Sequence, residues 1–98
     1  MPTLTPIERE TLGSIANDYE SPSTIVAEVS QALGRAVSES ELAATLAKLA
    51  AYGLAQAYVY DSSLGNYRSV PVADLAGSTD LWFLITAAGR AADDNTAG

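Results

Sequence analysis

Between Ser38 and Gly53 apolar residues recur with a helical period. Leu42, Leu46 and Leu49 fall at i, i+4 and i+7 and share one face. Ser38 stands where a helix N-cap belongs and Glu41 follows three residues later, which predicts a capping box. Val37 and Leu42 bracket that start as a hydrophobic staple, and Gly53 marks the end of a helix running to about Tyr52. Thr5-Pro6-Ile7-Glu8 predicts an earlier helix start of the same kind, with proline at the first helical position. Ile7, Leu12, Ile15, Ala16 and Tyr19 form its apolar stripe, with Glu8, Arg9 and Glu10 outside. Gly13, inside that stripe, is expected where another helix comes close. Asp18 to Ser23 breaks the pattern, because Pro22 disfavours helix at Ser21. Ser23 is the expected cap of a second helix carrying Ile25, Val26, Val29 and Leu33 and stopped by Gly34. Arg35-Ala36-Val37 is then a turn, and two helices so joined make a helix-turn-helix candidate.

After Gly53 the period changes. Leu54 to Tyr60 is rich in aromatic and branched residues and predicts a strand. Asp61 to Asn66 carries turn residues, and Tyr67 to Val70 pairs back as a second strand. Pro71 to Asp80 shows no clear period. Leu81 to Ile85 is the most β-like apolar run, and Thr86 caps a short helical turn over Ala87 to Ala92. Met1 to Leu4 is expected to fray. The domain is expected over residues 1–92, with a disordered polar tail over 93–98. The large side chains that should make the core are Leu12, Ile15, Val29, Leu33, Leu42, Leu46, Leu49, Leu54, Trp82, Leu84 and Ile85. There is no internal repeat.

Composition narrows the chemistry. The 98 residues fit one small domain, and 48% are apolar, many of them alanine. With no cysteine there is no disulfide and no thiolate metal site. With no histidine the commonest general base and metal ligand are missing. Asp61, Asp74 and Asp80 lie in loops without a nucleophile, a phosphate-binding glycine loop or metal-ligand spacing. The chain is therefore read as a non-enzyme, with no cofactor and no metal. No apolar run approaches the ~20 residues of a membrane span, and the N-terminus does not read as a signal peptide. A soluble cytoplasmic protein is expected.

The net charge of −7 speaks against general nucleic-acid binding. Its distribution is uneven. Residues 1–33 set Glu8, Glu10, Asp18, Glu20 and Glu28 against Arg9. Residues 71–98 set Asp74, Asp80, Asp93 and Asp94 against Arg90. Residues 34–70 balance Glu39, Glu41 and Asp61 with Arg35, Lys48 and Arg68. Acidic flanks thus enclose a neutral middle.

Leu33-Gly34-Arg35-Ala36-Val37-Ser38, followed by Leu42, Leu46, Lys48-Leu49 and Gly53-Leu54, resembles a run in PadR-like transcriptional regulators, from G-x-x-V-S through L-x-R-L-E-x-x-G-L. Leu84-Ile85-Thr86-Ala87-Ala88-Gly89-Arg90 is similar to the Y-x-L-T-x-x-G-R that closes the wing in that family and in related winged-helix families. The resemblance spans roughly residues 5–92. It implies an α+β winged helix-turn-helix, a three-helix core with a small antiparallel β-hairpin or sheet. It also implies a dimer that binds double-stranded DNA and represses transcription. This chain departs from the pattern at Ala43, where an aromatic is usual, at Lys48, where arginine is usual, and at Ala50, where an acid is usual. The connection between the wing strands is longer and acidic, and no long C-terminal dimerisation helix of the family's kind is expected.

If the helix opened by Ser38 reads a major groove, the face opposite its leucines presents Ser40, Glu41, Ala44, Thr45 and Lys48. Thr45 then meets a thymine methyl, Lys48 a phosphate, and Glu39 or Glu41 a cytosine amino group. Arg68, with Tyr58, Tyr60 and Tyr67, forms a wing toward the minor groove or backbone. The plainer reading has Glu41 capping, Glu39 favouring the helix dipole and the tyrosines packing across strands. Trp82 and Phe83 are adjacent, so on a strand they face opposite ways. One of them is free for a partner or dimer surface unless the N-terminal helix covers it. The second functional reading is an acidic winged-helix interaction module that holds a protein through its flanks or the Trp82/Phe83 surface and does not bind DNA.

Overall fold

The computed structural model of the chain describes residues 3–77 and 80–97, the side chains of 76, 77 and 94–97 excepted. Three helices come first, α1 (Pro6–Ser14), α2 (Pro22–Leu33) and α3 (Glu39–Ala51). Strands β1 (Ala55–Asp61) and β2 (Asn66–Val70) follow, then a 3-10 helix (Val72–Gly77), β3 (Trp82–Ile85) and α4 (Ala87–Ala97). The sheet is antiparallel throughout, in the order β2-β1-β3. The class is α+β, and the helical turn expected over Ala87 to Ala92 is a fourth helix that runs on to Ala97. No helix among the described residues is long and apolar enough to cross a membrane.

Local chemistry accounts for the helix ends. At α1 the capping box closes in both directions: Glu8 N–H donates to Thr5 Oγ1 at 3.3 Å, and Thr5 N–H donates to Glu8 Oε1 at 2.8 Å. The N-cap of α2 is Ser21, not Ser23. The proline that keeps Ser21 extended is also pre-set for the first helical position, so the helix begins two residues early. At the end of α3, Gly53 adopts φ 75°, Leu54 N–H donates to Leu49 O at 2.9 Å, and Gly53 N–H donates to Ala50 O at 3.0 Å. This is a Schellman cap, and it turns Leu54 into the core.

The expected α1 stripe overruns the helix. α1 ends at Ser14, and Ala16 and Tyr19 lie in the segment leading to α2. That segment bonds to β3: Ile85 N–H donates to Ile15 O at 3.0 Å, and Glu20 and Phe83 exchange backbone bonds at 3.0 and 2.9 Å. Gly13 is exposed, with open space where a Cβ would stand. The close approach expected there occurs at Gly89, whose Cβ would run into the Leu54 carbonyl. Thr86 completes that junction: its hydroxyl donates to Gly53 O at 2.7 Å and accepts from Gly89 N–H at 2.9 Å.

The core lies between the helices and one face of the sheet. Leu12, Ile15, Ile25, Val29, Leu42, Leu46, Leu49, Leu54, Phe83 and Ile85 are buried there. Leu33, Trp82 and Leu84, expected inside, are half-buried. Leu4 is buried in the core rather than frayed, while Met1 and Pro2 lie outside the described residues. Asp93 to Ala97 continue α4 instead of forming a disordered tail, and Gly98 lies outside the described residues. Ala92 anchors that extension by packing into the core.

Candidate functional site

α3 offers different chemistry on each of its sides. Its inner face carries Leu42, Leu46 and Leu49, and Thr45 belongs with them. Thr45 is 8% exposed, and its hydroxyl donates to the Glu41 carbonyl at 2.9 Å. The sequence expectation that Thr45 stands on the outer face is therefore corrected. It lies three residues after Leu42 and four before Leu49, spacings that place it on the same side of a helix as both.

The side turned toward α1 and the α2–α3 turn is polar and closed. Ser38 Oγ accepts from Glu41 N–H at 3.0 Å, which is one half of the expected capping box. The Glu41 carboxylate does not return to Ser38. It meets the Arg35 guanidinium through two bonds, at 3.0 and 3.1 Å. A bidentate, charge-assisted pair outcompetes a single bond to a neutral backbone N–H. Arg35 holds the Glu41 carboxyl below the usual glutamate range. Two turns on from Glu41, Lys48 Nζ lies 3.4 Å from Glu8 Oε2. The same Glu8 side chain closes the α1 cap with its other oxygen and is almost fully buried. Tyr52, and after it Glu8, push the Lys48 ammonium above the ordinary lysine range.

Arg68 stands on β2 opposite Val59, with its Nε 3.8 Å from Asp61 Oδ2. Asp61 is held low chiefly by the Ser63 hydroxyl. The cations of the neutral middle, Arg35, Lys48 and Arg68, thus each lie beside a carboxylate.

The outer side of α3 is different. Ser40, Ala43, Ala44, Ala47 and Ala51 are exposed there, with Ser38 and Glu39 at its start. This side opens on a groove of about 680 Å³ between α2, α3, the 3-10 helix and β3. Val26, Leu42, Leu46, Leu75, Leu81 and Phe83 give it an apolar wall, and Ala43, Ala44 and Ala47 form its α3 edge. Glu39 is the one charged side chain on that wall among the described residues. Sequence reasoning missed the groove because Pro71 to Asp80 carried no helical or strand period. One signal was present: Val72 and Leu75 are three apart, the spacing that eclipses side chains in a 3-10 helix.

The outer face of the sheet is aromatic. Tyr19 stacks on Tyr67 with centroids 3.9 Å apart, and meets Tyr58 edge-on at 4.9 Å. Tyr60 and Trp82 pack edge-on against Tyr67 at 5.4 and 5.9 Å. These tyrosines are occupied with one another across the strands, and burial pushes the Tyr58 phenol up. Trp82 and Phe83 do face opposite ways. Trp82 joins the aromatic layer, whereas Phe83 is buried and lines the groove. No cluster of acids among the described residues is arranged to hold a metal.

Compared with known proteins, the chain matches no family profile, no curated protein and no solved structure.

Proposed function

We propose that the chain is a winged-helix-type domain that works as a cytoplasmic protein-interaction module, holding a partner in the groove beside α3. The observation that carries this is the division of α3. Its outer side is alanine leading into an apolar groove, while Arg35, Lys48 and Arg68 each lie beside an acid. A helix that reads base edges presents long polar side chains, and a phosphate surface presents available cations. Among the described residues, the groove side of α3 offers one long polar side chain, Glu39, and no lysine or arginine. The winged-helix assignment draws support from the α2–turn–α3 pair and from β1 and β3, which pair antiparallel on either side of a long connection.

A second reading, the DNA-binding repressor, is favoured by one feature. The first turn of α3 is open to solvent at Ser38 and Ser40, and the Arg35–Glu41 pair beside it is half-exposed, so a phosphate could compete for Arg35. Fluorescence anisotropy on random duplex DNA over a range of salt separates the two. The interaction module shows no binding at any salt. Binding whose logarithm falls linearly with the logarithm of salt concentration reverses the choice in favour of the regulator.

A further inference from the structure

We infer that the groove takes an amphipathic helical segment whose apolar face is flanked by lysine or arginine, an inference that rests on the interaction-module reading. The groove is of a size that receives several side chains, and its wall is almost wholly apolar. An amphipathic helix laid along such a groove inserts residues at i, i+3 or i+4, and i+7. Ala43 and Ala47, one turn apart on α3, leave room for the incoming backbone.

Charge selects among occupants. Among the described residues, Glu39 lines the groove and no lysine or arginine does. Asp74 sits between the lining residues Ala73 and Leu75, and Asp80 precedes Leu81; both acids are exposed. The groove is thus apolar within, and the charge on its wall is the Glu39 carboxylate, in a chain of net charge −7. A second copy of the chain would bring the same acids and a further −7 of net charge, setting like charges against each other. An acidic partner meets the same repulsion. A basic flank is complementary: its charges steer encounter and fix orientation while the apolar face supplies most of the affinity.

The test is backbone amide NMR of the full chain, titrated with three peptides of about 18 residues, long enough to form a helix. One is a leucine–lysine amphipathic helix, one its leucine–glutamate counterpart, and one a scrambled leucine–lysine peptide of equal charge. The leucine–lysine helix is expected to move the Ala43, Ala47, Ala73 and Leu81 resonances. The leucine–glutamate helix should bind at least about tenfold more weakly, and Ala47→Arg, at an exposed position, should weaken the leucine–lysine helix by about tenfold. Groove shifts from both helices at equal concentrations overturn the basic-partner inference and leave the interaction-module reading standing. Groove shifts that grow with protein concentration alone make a second copy the occupant and also overturn it. Equal binding by the scrambled peptide reduces the effect to unspecific charge attraction and overturns it as well. No groove shift with any peptide overturns the inference; if duplex DNA then moves the α3 resonances, the interaction-module reading falls with it.

Discussion

The two sides of α3 differ in what they leave unfinished. Toward α1, side chains are paired: Lys48 with Glu8, Glu41 with Arg35, and Thr45 with its own helix backbone. Toward α2 and the 3-10 helix, apolar side chains border open space. The closed side locks the helices together and neutralises the local charge. The open side has burial still to gain, which is what a docking surface requires. One helix thereby serves stability on one flank and recognition on the other.

The largest test of this contrast is a pair of truncations. Leu49 is fully buried away from the groove, whereas Leu46, also buried, borders it. Leu49→Ala should cost about 3–5 kcal/mol in urea denaturation, and Leu46→Ala about 2–3 kcal/mol, because its neighbours can collapse toward the open side. Equal losses would erase the distinction. A second test lies where α4 clamps the end of α3. Gly89→Ala drives a methyl group against the Leu54 carbonyl and should cost about 1–3 kcal/mol. No loss in thermal melting would mean that the junction at Thr86 is loose.

Glu8 is the hinge of the closed side. Glu8→Ala removes the return bond of the α1 cap and the partner of Lys48, and should cost about 0.5–2 kcal/mol. Ala43→Ser on the open side should stay within about 0.5 kcal/mol. Denaturation curves that rank these two the other way would break the comparison.

The smallest effect concerns pH. Arg35 depresses the Glu41 carboxyl in the folded state, so that pair stabilises the fold above the unfolded glutamate value and ceases to as pH falls through the depressed one. Arg35→Gln should return Glu41 to the ordinary range, read by NMR titration of its side chain. The stability gap between wild type and variant should then narrow on acidification. A Glu41 titration unmoved by the substitution would show that the pair does not persist in solution.

What was legible in the chain was what is decided within a few residues. Thr5 with Glu8, Ser38 with the Glu41 amide, and Gly53 after α3 each act over three or four positions, so the ends of α1 and α3 follow from spacing alone. The same local rule misplaced the Glu41 carboxylate, because Arg35 approaches it only once the α2–α3 turn has folded back. Thr45 was misplaced because a three-leucine stripe understates how wide the buried face becomes when helices pack on two sides. Gly13 and Gly89 look alike in sequence, and only the packing of α4 against Leu54 shows which one admits no side chain. The groove is the extreme case. Its walls come from two stretches of the chain, α2 with α3 and the 3-10 helix with β3, that stand on either side of β1 and β2 in the sequence. Capping and periodicity act between near neighbours in the chain and were readable from it. A concave apolar surface exists only where distant segments meet, and tertiary packing alone decides where that is.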